Sequence, residues 1–227
     1  MYWQEDEQQT ESRVPDDVVD VLFALDCRAI PVDHAHALST ALLDLAPWLD
    51  QPGAGIHTIH VAGSQNGWER PEYGSDQQLQ LSRRTKLCIR VPKEQVPALK
   101  DALEGRTVDV GGSPLRIGTG KNRLLSRETA LFARYVAGPA VEDEEAFLHW
   151  AVDELARLGI RVRKALCGKT TSLETSDGAI LSRSLMLADL TPDESILLQQ
   201  RGLGPHRAMG CGIFLPHKGI DALHKPK

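Results

Sequence analysis

The 227-residue chain is poor in aromatic side chains, which make up 5% of it, and in cysteine and methionine. Its four cysteines, Cys27, Cys88, Cys167 and Cys211, stand far apart and form no CxxC pair. With no secretory signal in view, that spacing argues against a disulfide framework or zinc site and for free thiols in a reducing compartment. No apolar run approaches the roughly 18 residues that a membrane span needs. The opening segment, MYWQEDEQQTESR, is acidic and lacks the basic-then-apolar order of a signal peptide. These absences predict a soluble, cytoplasmic protein. Apolar residues at 41% and charged residues at 25% are ordinary globular usage, which excludes wholesale disorder. The length suits one large domain or two of about 100 residues each.

A net charge of −5 hides a split. Residues 1–80 carry 14 acidic and 3 basic side chains, whereas residues 81–227 carry 17 acidic and 23 basic ones. Residues 1–20 hold seven of the carboxylates and one arginine, and the stretch before Val18 lacks aliphatic periodicity and reads as a mobile tail. The remainder has basic surface to present to a polyanion. Composition alone leaves that use open.

The order of elements says more. Val18 to Ala29 reads as a strand, and Asp33 is placed as the N-cap of a helix over HAHALSTALLDLAPWL. Leu38, Ala41, Leu42 and Leu45 fall on one face of that helix. Ile56 to Ala62 is a second strand, followed by a polar loop from Gly63 to Asp76. Gln78 to Val91 is a third strand region, Lys93 to Leu103 a short helix, and Arg106 to Ile117 a strand or hairpin turning at Gly111-Gly112. The pattern then restarts. Ala130 to Ala137 is a strand and Glu142 to Leu158 a helix with an acidic first turn. Ile160 to Leu166 and Ser182 to Leu190 are strands, Pro192 opens a helix, and Gly212 to Leu215 is the last strand.

Two β-α-β-β-α-β units predict an α+β protein of two tandem ferredoxin-like domains. The expected division is an acidic tail at 1–16, an N-terminal domain at 17–117, a basic linker at 118–128, a C-terminal domain at 129–216 and a tail at 217–227.

The most specific local feature is GLGPHRAMGCGIF, in which Gly202 and Gly204, then Gly210 and Gly212, bracket His206 and Arg207. A glycine cluster can be no more than a flexible turn. Paired GxG units at a helix-to-strand junction also let a phosphate backbone approach main-chain N–H groups, with Arg207 as a charged fork.

This loop resembles the glycine-rich loop of the RAMP superfamily, RRM-like proteins of tandem ferredoxin-like build. Together with PVDHAHAL at the first helix and the ending GLGPHRAMGCGIFLPHK, it resembles the CRISPR-associated endoribonucleases that process precursor CRISPR RNA, in the subtype first described in myxobacteria. The resemblance covers residues 17–218. It implies metal-independent cleavage on the 3′ side of a repeat stem, leaving a 2′,3′-cyclic phosphate and a 5′-hydroxyl. It implies CRISPR repeat RNA as partner, with other Cas proteins of an effector complex as further partners, and neither membrane nor direct DNA contact. No cofactor is expected.

Attack by a ribose 2′-OH needs a base, an acid for the leaving oxygen and cations around the transition state, and histidine titrates in the right range. Of eight histidines, His34 and His57 are the candidates. His34 opens the first helix on the line of its apolar stripe, where helix N–H groups also attract phosphate. His57 follows the helix. A helix of about 13 residues separates their ends by roughly 20 Å, so the two are alternatives. His206 lies in the glycine loop and is a candidate for contact with the RNA backbone.

Lys121, Arg123 and Arg127 of the linker, with Arg161, Arg163 and Lys164, are candidates to line a groove for stem phosphates. No GxxxxGK[ST] loop is present, and His34-x-His36 and His57-x-x-His60 lack a third ligand, so no metal is expected. The strands hold no RNP-type aromatic pair for base stacking. Two other readings stay open beside the nuclease: a non-catalytic RNA-binding RAMP subunit, and a small-molecule enzyme on the same scaffold.

Overall fold

The computed structural model describes residues 15–60 and 77–217. The polar loop at Gly63–Asp76, nearly all of the acidic tail and the chain after His217 lie outside the described residues.

Alternation along β1 (Val18–Asp26) builds the first layer. Val19, Val21 and Phe23 enter the apolar core, while Asp20, Leu22 and Ala24 take the opposite face. After β2 (Ala29–Pro31), helix α1 (Ala35–Leu45) buries Leu38 and Leu42 in the same core. Then come β3 (Gly55–Ile56), β4 (Gln78–Gln80), β5 (Lys86–Pro92) and α2 (Val96–Leu103), with Leu99 and Leu103 in that core. Strands β6 (Thr107–Val110) and β7 (Ser113–Leu124) form a hairpin. Its Gly111 and Gly112 have φ of 60° and 82°, as a two-residue turn with both residues left-handed requires. The sheet order is β3-β5-β1-β7-β6, antiparallel throughout. Both helices pack on the Val21 face, which leaves the Asp20 face free of them.

The second half repeats the plan with β8 (Leu131–Val136), α3 (Glu144–Arg157), β9 (Lys164–Thr175), β10 (Gly178–Ala188), α4 (Pro192–Arg201) and β11 (Leu215–Pro216). Its sheet runs β11-β8-β10-β9. Local chemistry fixes the helix starts. Asp143 accepts from the N–H groups of Glu145 and Ala146, and Thr191 with Glu194 forms a capping box. The structure is thus two ferredoxin-like units in tandem, as the alternation of elements predicts.

Several boundaries move. The strand expected at Ile56–Ala62 shortens to β3, and the region at 78–91 splits, because β4 leaves to pair with β2. The helix cap falls on His34 rather than Asp33, whose Oδ2 accepts from Glu174 N–H of β9 instead. The basic linker at 118–128 is largely strand: β7 continues to Leu124 and pairs with β1 from Arg116–Asp26 to Leu124–Val19. Gly118 and Gly120 read as loop residues but serve close packing, since a Cβ at Gly120 would meet Val21 and Phe23. In the second half, the polar stretch after Leu166 is not a connection but the far half of the β9–β10 hairpin.

The two halves are joined by buried contacts. Ala35, the first residue of α1, packs with Tyr135, Ala137, Leu173 and Cys211. Arg90 of β5 has no exposed surface. Its Nε and Nη2 donate to Asp20 Oδ1 and Oδ2 at 2.7 and 3.2 Å, and its Nη1 donates to the carbonyls of Gln199 and Phe214 at 2.8 and 3.1 Å. Arg90→Met would strand a buried carboxylate and two carbonyls, at a cost of about 3–5 kcal/mol. Urea unfolding should show the midpoint falling accordingly, and an unchanged midpoint would deny Arg90 this role.

Candidate active site

His34 is 1% exposed. Its Nδ1 lies 3.0 and 3.1 Å from the carbonyls of Pro31 and Val32, and its Nε2 accepts the N–H of Ile59 at 2.9 Å. Two carbonyls on one nitrogen and an N–H on the other select the neutral Nδ1–H tautomer. The ring thereby ties the start of α1 to the segment after β3. The chain returns along the helix, so His34 bonds two residues along from His57 and the expected separation of roughly 20 Å does not hold. Ala35 beside it is covered by the second half, so the helix N-terminus is closed to an external phosphate. The expectation of His34 as a phosphate-facing group meets a side chain with both nitrogens engaged inside the protein.

His57 stands in a different setting. Its N–H donates to Cys88 O, which continues the β3–β5 ladder and puts it beside Cys88 on the helix-free face. The side chain is 7% exposed, and Nε2 is 3.6 Å from Asp20 Oδ1 with no hydrogen-bond partner. Burial holds its pKa below the ordinary value; Asp20 pushes the other way, while the Arg90 and Arg123 guanidiniums add to the lowering. His57 is therefore neutral at pH 7. Burial alone would raise Asp20, but Arg90 first and then His57 outweigh it, leaving that carboxyl far below the usual carboxylate range.

His57 also lines a cavity of about 70 Å³ with Thr58, His60, Phe132, Arg134, Gly210, Ile213 and Leu215. Here the helix-free faces of the two sheets meet. His60 is exposed, with its Nε2 2.9 Å from Thr58 Oγ1. Arg134, on β8, has no described hydrogen bond or ion pair. From the second sheet, register aligns Leu215, Phe132, Met186 and Leu166 across the four strands. Sequence spacing gives no link from His57 to Asp20, Cys88, Arg90 or Arg134, because strand pairing and the meeting of the two sheets assemble them. The one available signal is the β1 alternation that sets Asp20 opposite Val19 and Val21.

The glycine loop turns inward. Gly202, Gly204, Gly210 and Gly212 have φ between 65° and 84°. A Cβ at Gly212 would strike Leu203 O, one at Gly204 would strike Ala137 O, and one at Gly210 would press on Thr58. Arg207 donates through Nε to Ala54 O at 2.9 Å, through Nη1 to Arg201 O at 2.8 Å and through Nη2 to Gln200 O at 3.4 Å. Burial, with Arg90 nearby, lowers its pKa to about 10, still charged at neutrality. In this arrangement Arg207 is a brace between the halves, which differs from the expected fork toward an external phosphate. His206 is exposed, at a left-handed φ of 64°.

The expected basic groove divides. Lys121 and Arg123 project from β7 on the helix-free face, where Lys121 pairs opposite Leu22 and Arg123 Nη2 donates to Asp20 Oδ2 at 2.9 Å. Lys86 shares that face and is exposed. On the other half, Arg163 Nη1 is held by Glu194 at 2.7 Å, Lys164 Nζ lies 3.0 Å from Asp189, and Arg127 is 3.8 Å from Asp193. Arg161 is exposed beside them. Lys121 and Arg123 thus share a face with His57, whereas Arg127, Arg161 and Arg163 gather about α4.

Donor atoms of Asp20, His57 and Cys88 lie within 4.8 Å of one another. They do not suit a divalent cation: two guanidiniums occupy both Asp20 oxygens, and burial pushes the Cys88 thiol well above its normal range.

Tandem ferredoxin-like units closed by a glycine-rich loop are the build of the RAMP superfamily. The chain belongs to the Cas6 family: that family's model, described as Cas6 Crispr, matches residues 19–219. It is 30% identical to the CRISPR-associated endonuclease Cas6 of Myxococcus xanthus (strain DK1622) over 199 residues, 87% of this chain and 81% of that protein. The fold is similar to that of a solved CRISPR-associated Cas6 protein, with a TM-score of 0.63 at 10% identity over 88% of this chain and all of that one. A Cas6-related protein from Pyrococcus furiosus gives 0.57 at 13% identity over 87% of this chain and 97% of that one. Among the described residues no helix is long and apolar enough to cross a membrane.

Two outcomes are expected from this geometry. Arg207→Ala should lower the melting temperature, since it abandons carbonyls at the junction at about 1–3 kcal/mol; an unchanged melting curve would contradict the brace. His57 binds its proton at lower pH folded than unfolded, so its contribution to stability is present above about pH 6.5 and lost as pH falls. His57→Gln should flatten the decline of unfolding free energy between about pH 7 and 5. Identical slopes would mean that the ring is not held neutral by burial.

Proposed function

We propose that the protein is an endoribonuclease that cuts precursor CRISPR RNA within its repeats, at the 3′ base of a stem-loop. Membership of the Cas6 family and likeness to the Myxococcus endonuclease support the substrate. The observation that carries the chemistry is His57, neutral at pH 7 and lining the cavity where the two sheet faces meet.

In this reading RNA tracks along the helix-free face past Lys86, Lys121 and Arg123 to the cavity. His57 takes the proton of the 2′-OH, which attacks the adjacent phosphorus. Arg134 balances charge on the phosphorane-like transition state. The 5′-oxygen leaves with a proton for which exposed His60 is the nearest donor type in the cavity. The products are a 2′,3′-cyclic phosphate and a 5′-hydroxyl. No step calls on a metal, and the Asp20–His57–Cys88 group is poorly matched to one. Catalysis thus belongs to His57, and His34 has a structural part.

A second reading, a non-catalytic RNA-binding RAMP subunit, draws on one observation: His57 is only 7% exposed. Incubation of labelled repeat hairpin with the protein in EDTA separates them. A discrete cut with cyclic-phosphate ends supports the nuclease, while a mobility shift without cutting supports the subunit. His57→Ala should slow single-turnover cleavage by about 100- to 10,000-fold with little change in affinity. Full activity in that variant, with loss in His34→Ala despite an intact fold, would return the role to His34. Lys121→Ala should reduce the slope of log affinity against log salt by about 0.7–0.9. An unchanged slope would take the RNA off this face.

A further inference from the structure

We infer that Asp20 is the positioning residue for His57: its carboxylate, clamped by two arginines, fixes the imidazole tautomer and orientation for proton abstraction. This rests on His57 being the base proposed above.

Asp20 cannot turn. Oδ1 receives Arg90 Nε at 2.7 Å, while Oδ2 receives Arg90 Nη2 at 3.2 Å and Arg123 Nη2 at 2.9 Å. Two guanidiniums from the flanking strands β5 and β7 hold one carboxylate of the central strand in a single plane. His57 Nε2 is buried without a hydrogen bond and lies 3.6 Å from Oδ1. A small tilt of the ring closes that gap and makes Nε2–H the donor. An imidazole whose Nε2 carries the proton keeps its lone pair on Nδ1. A ring left to itself would divide between two tautomers and several rotations, and in each alternative the base is absent or misaimed.

Among the described residues no other carboxylate competes for this role. The titratable and charged groups around His57 are Asp20 from β1, Cys88 and Arg90 from β5, Arg123 from β7 and, lining the same cavity, His60 and Arg134 of β8. Of these, only Asp20 can accept from Nε2 and stabilise the imidazolium that follows proton transfer. The two arginines hold it ionised at neutral pH, so it orients the ring and takes no proton itself. Proton balance is simple: the 2′-OH proton moves to His57 and later to solvent, and Asp20 remains a carboxylate throughout.

The experiment has two arms. In wild-type protein, nitrogen-15 shifts of the His57 ring should report the Nε2–H tautomer above pH 7; the Nδ1–H form or an even mixture overturns the inference. In Asp20→Asn, single-turnover cleavage of the repeat hairpin should fall about 100- to 10,000-fold, while hairpin affinity changes less than about threefold. Removing the carboxylate also lowers the pKa of His57, so the limb on which rate rises with pH should move to lower pH. Asp20→Asn should lower the melting temperature in either case, because Arg90 loses its carboxylate; a purely structural part for Asp20 would leave rate and limb in place in the folded variant. Should Asp20→Asn fail to fold, the wild-type tautomer decides. Wild-type rates in His57→Ala would sink the proposed base, whereas a dead His57→Ala beside an unaltered Asp20→Asn sinks this inference alone.

Discussion

A single buried guanidinium governs how the halves of this protein meet. Arg90 sits in the middle of the first sheet and holds Asp20 of its neighbouring strand with one edge. Its remaining nitrogen binds carbonyls at the end of α4 and just before β11. A pair of buried charges gains little net stability over an apolar core of equal volume, because desolvation offsets attraction. It does impose geometry. Two apolar faces can slide, but a guanidinium that must satisfy one carboxylate and two carbonyls admits few relative positions. The cavity at His57 lies on the seam that this requirement fixes. Arg207 repeats the device on the other side of the seam, with three carbonyls and no carboxylate.

The glycine loop obeys the same constraint. Its glycines look, in sequence, like room made for a ligand. In the fold the room is used by the protein's own main chain: Gly202 lies against Gly212 O, Gly212 against Leu203 O and Gly204 against Ala137 O. Glycine spacing announces close approach to a backbone but does not say whose backbone it is. In this chain the glycine segment lies where the two halves are fastened. The proposed RNA site adjoins it, on faces whose side chains carry no motif. His206 of this segment remains turned outward.

Much of the architecture is legible because ferredoxin-like units obey local rules. Val19, Val21 and Phe23 alternate, Leu38 and Leu42 share a helical face, and Thr191 with Glu194 announces a helix start. Where local rules conflict with pairing, sequence misleads. Gly118, Gly120, Lys121 and Arg123 have linker composition, yet β1 requires a partner along that length and glycine lets Phe23 fit beneath it. The hairpin beyond Leu166 is mostly polar and exposed, with Leu173 buried against Ala35 and Tyr135 as an exception, so alternation there carries little signal. At His34 the sequence cannot show that the helix start is covered, because Ala35 packs against Tyr135, Ala137, Leu173 and Cys211 of the second half. Asp20 belongs by composition to the acidic N-terminal stretch, although its strand neighbours are arginines.

Burial divides the labour of the proposed chemistry. A histidine enclosed among guanidiniums stays neutral, which suits the removal of a proton and unsuits the donation of one. The leaving 5′-oxygen therefore needs a second group that can supply a proton. Burial and exposure separate the two roles within one small cavity: His57 is enclosed on the first sheet, and His60 stands three residues on, exposed at the rim. Cations divide in the same way. Arg90 is buried and committed to Asp20, so its charge acts on His57 and not on RNA, whereas Arg123 holds Asp20 from a half-exposed position on the proposed RNA face and Arg134, with no partner among the described residues, lines the cavity. Arg90 alone does both jobs: it fastens the halves and adds to the burial that holds His57 neutral, so the proposed activity would depend on correct domain docking.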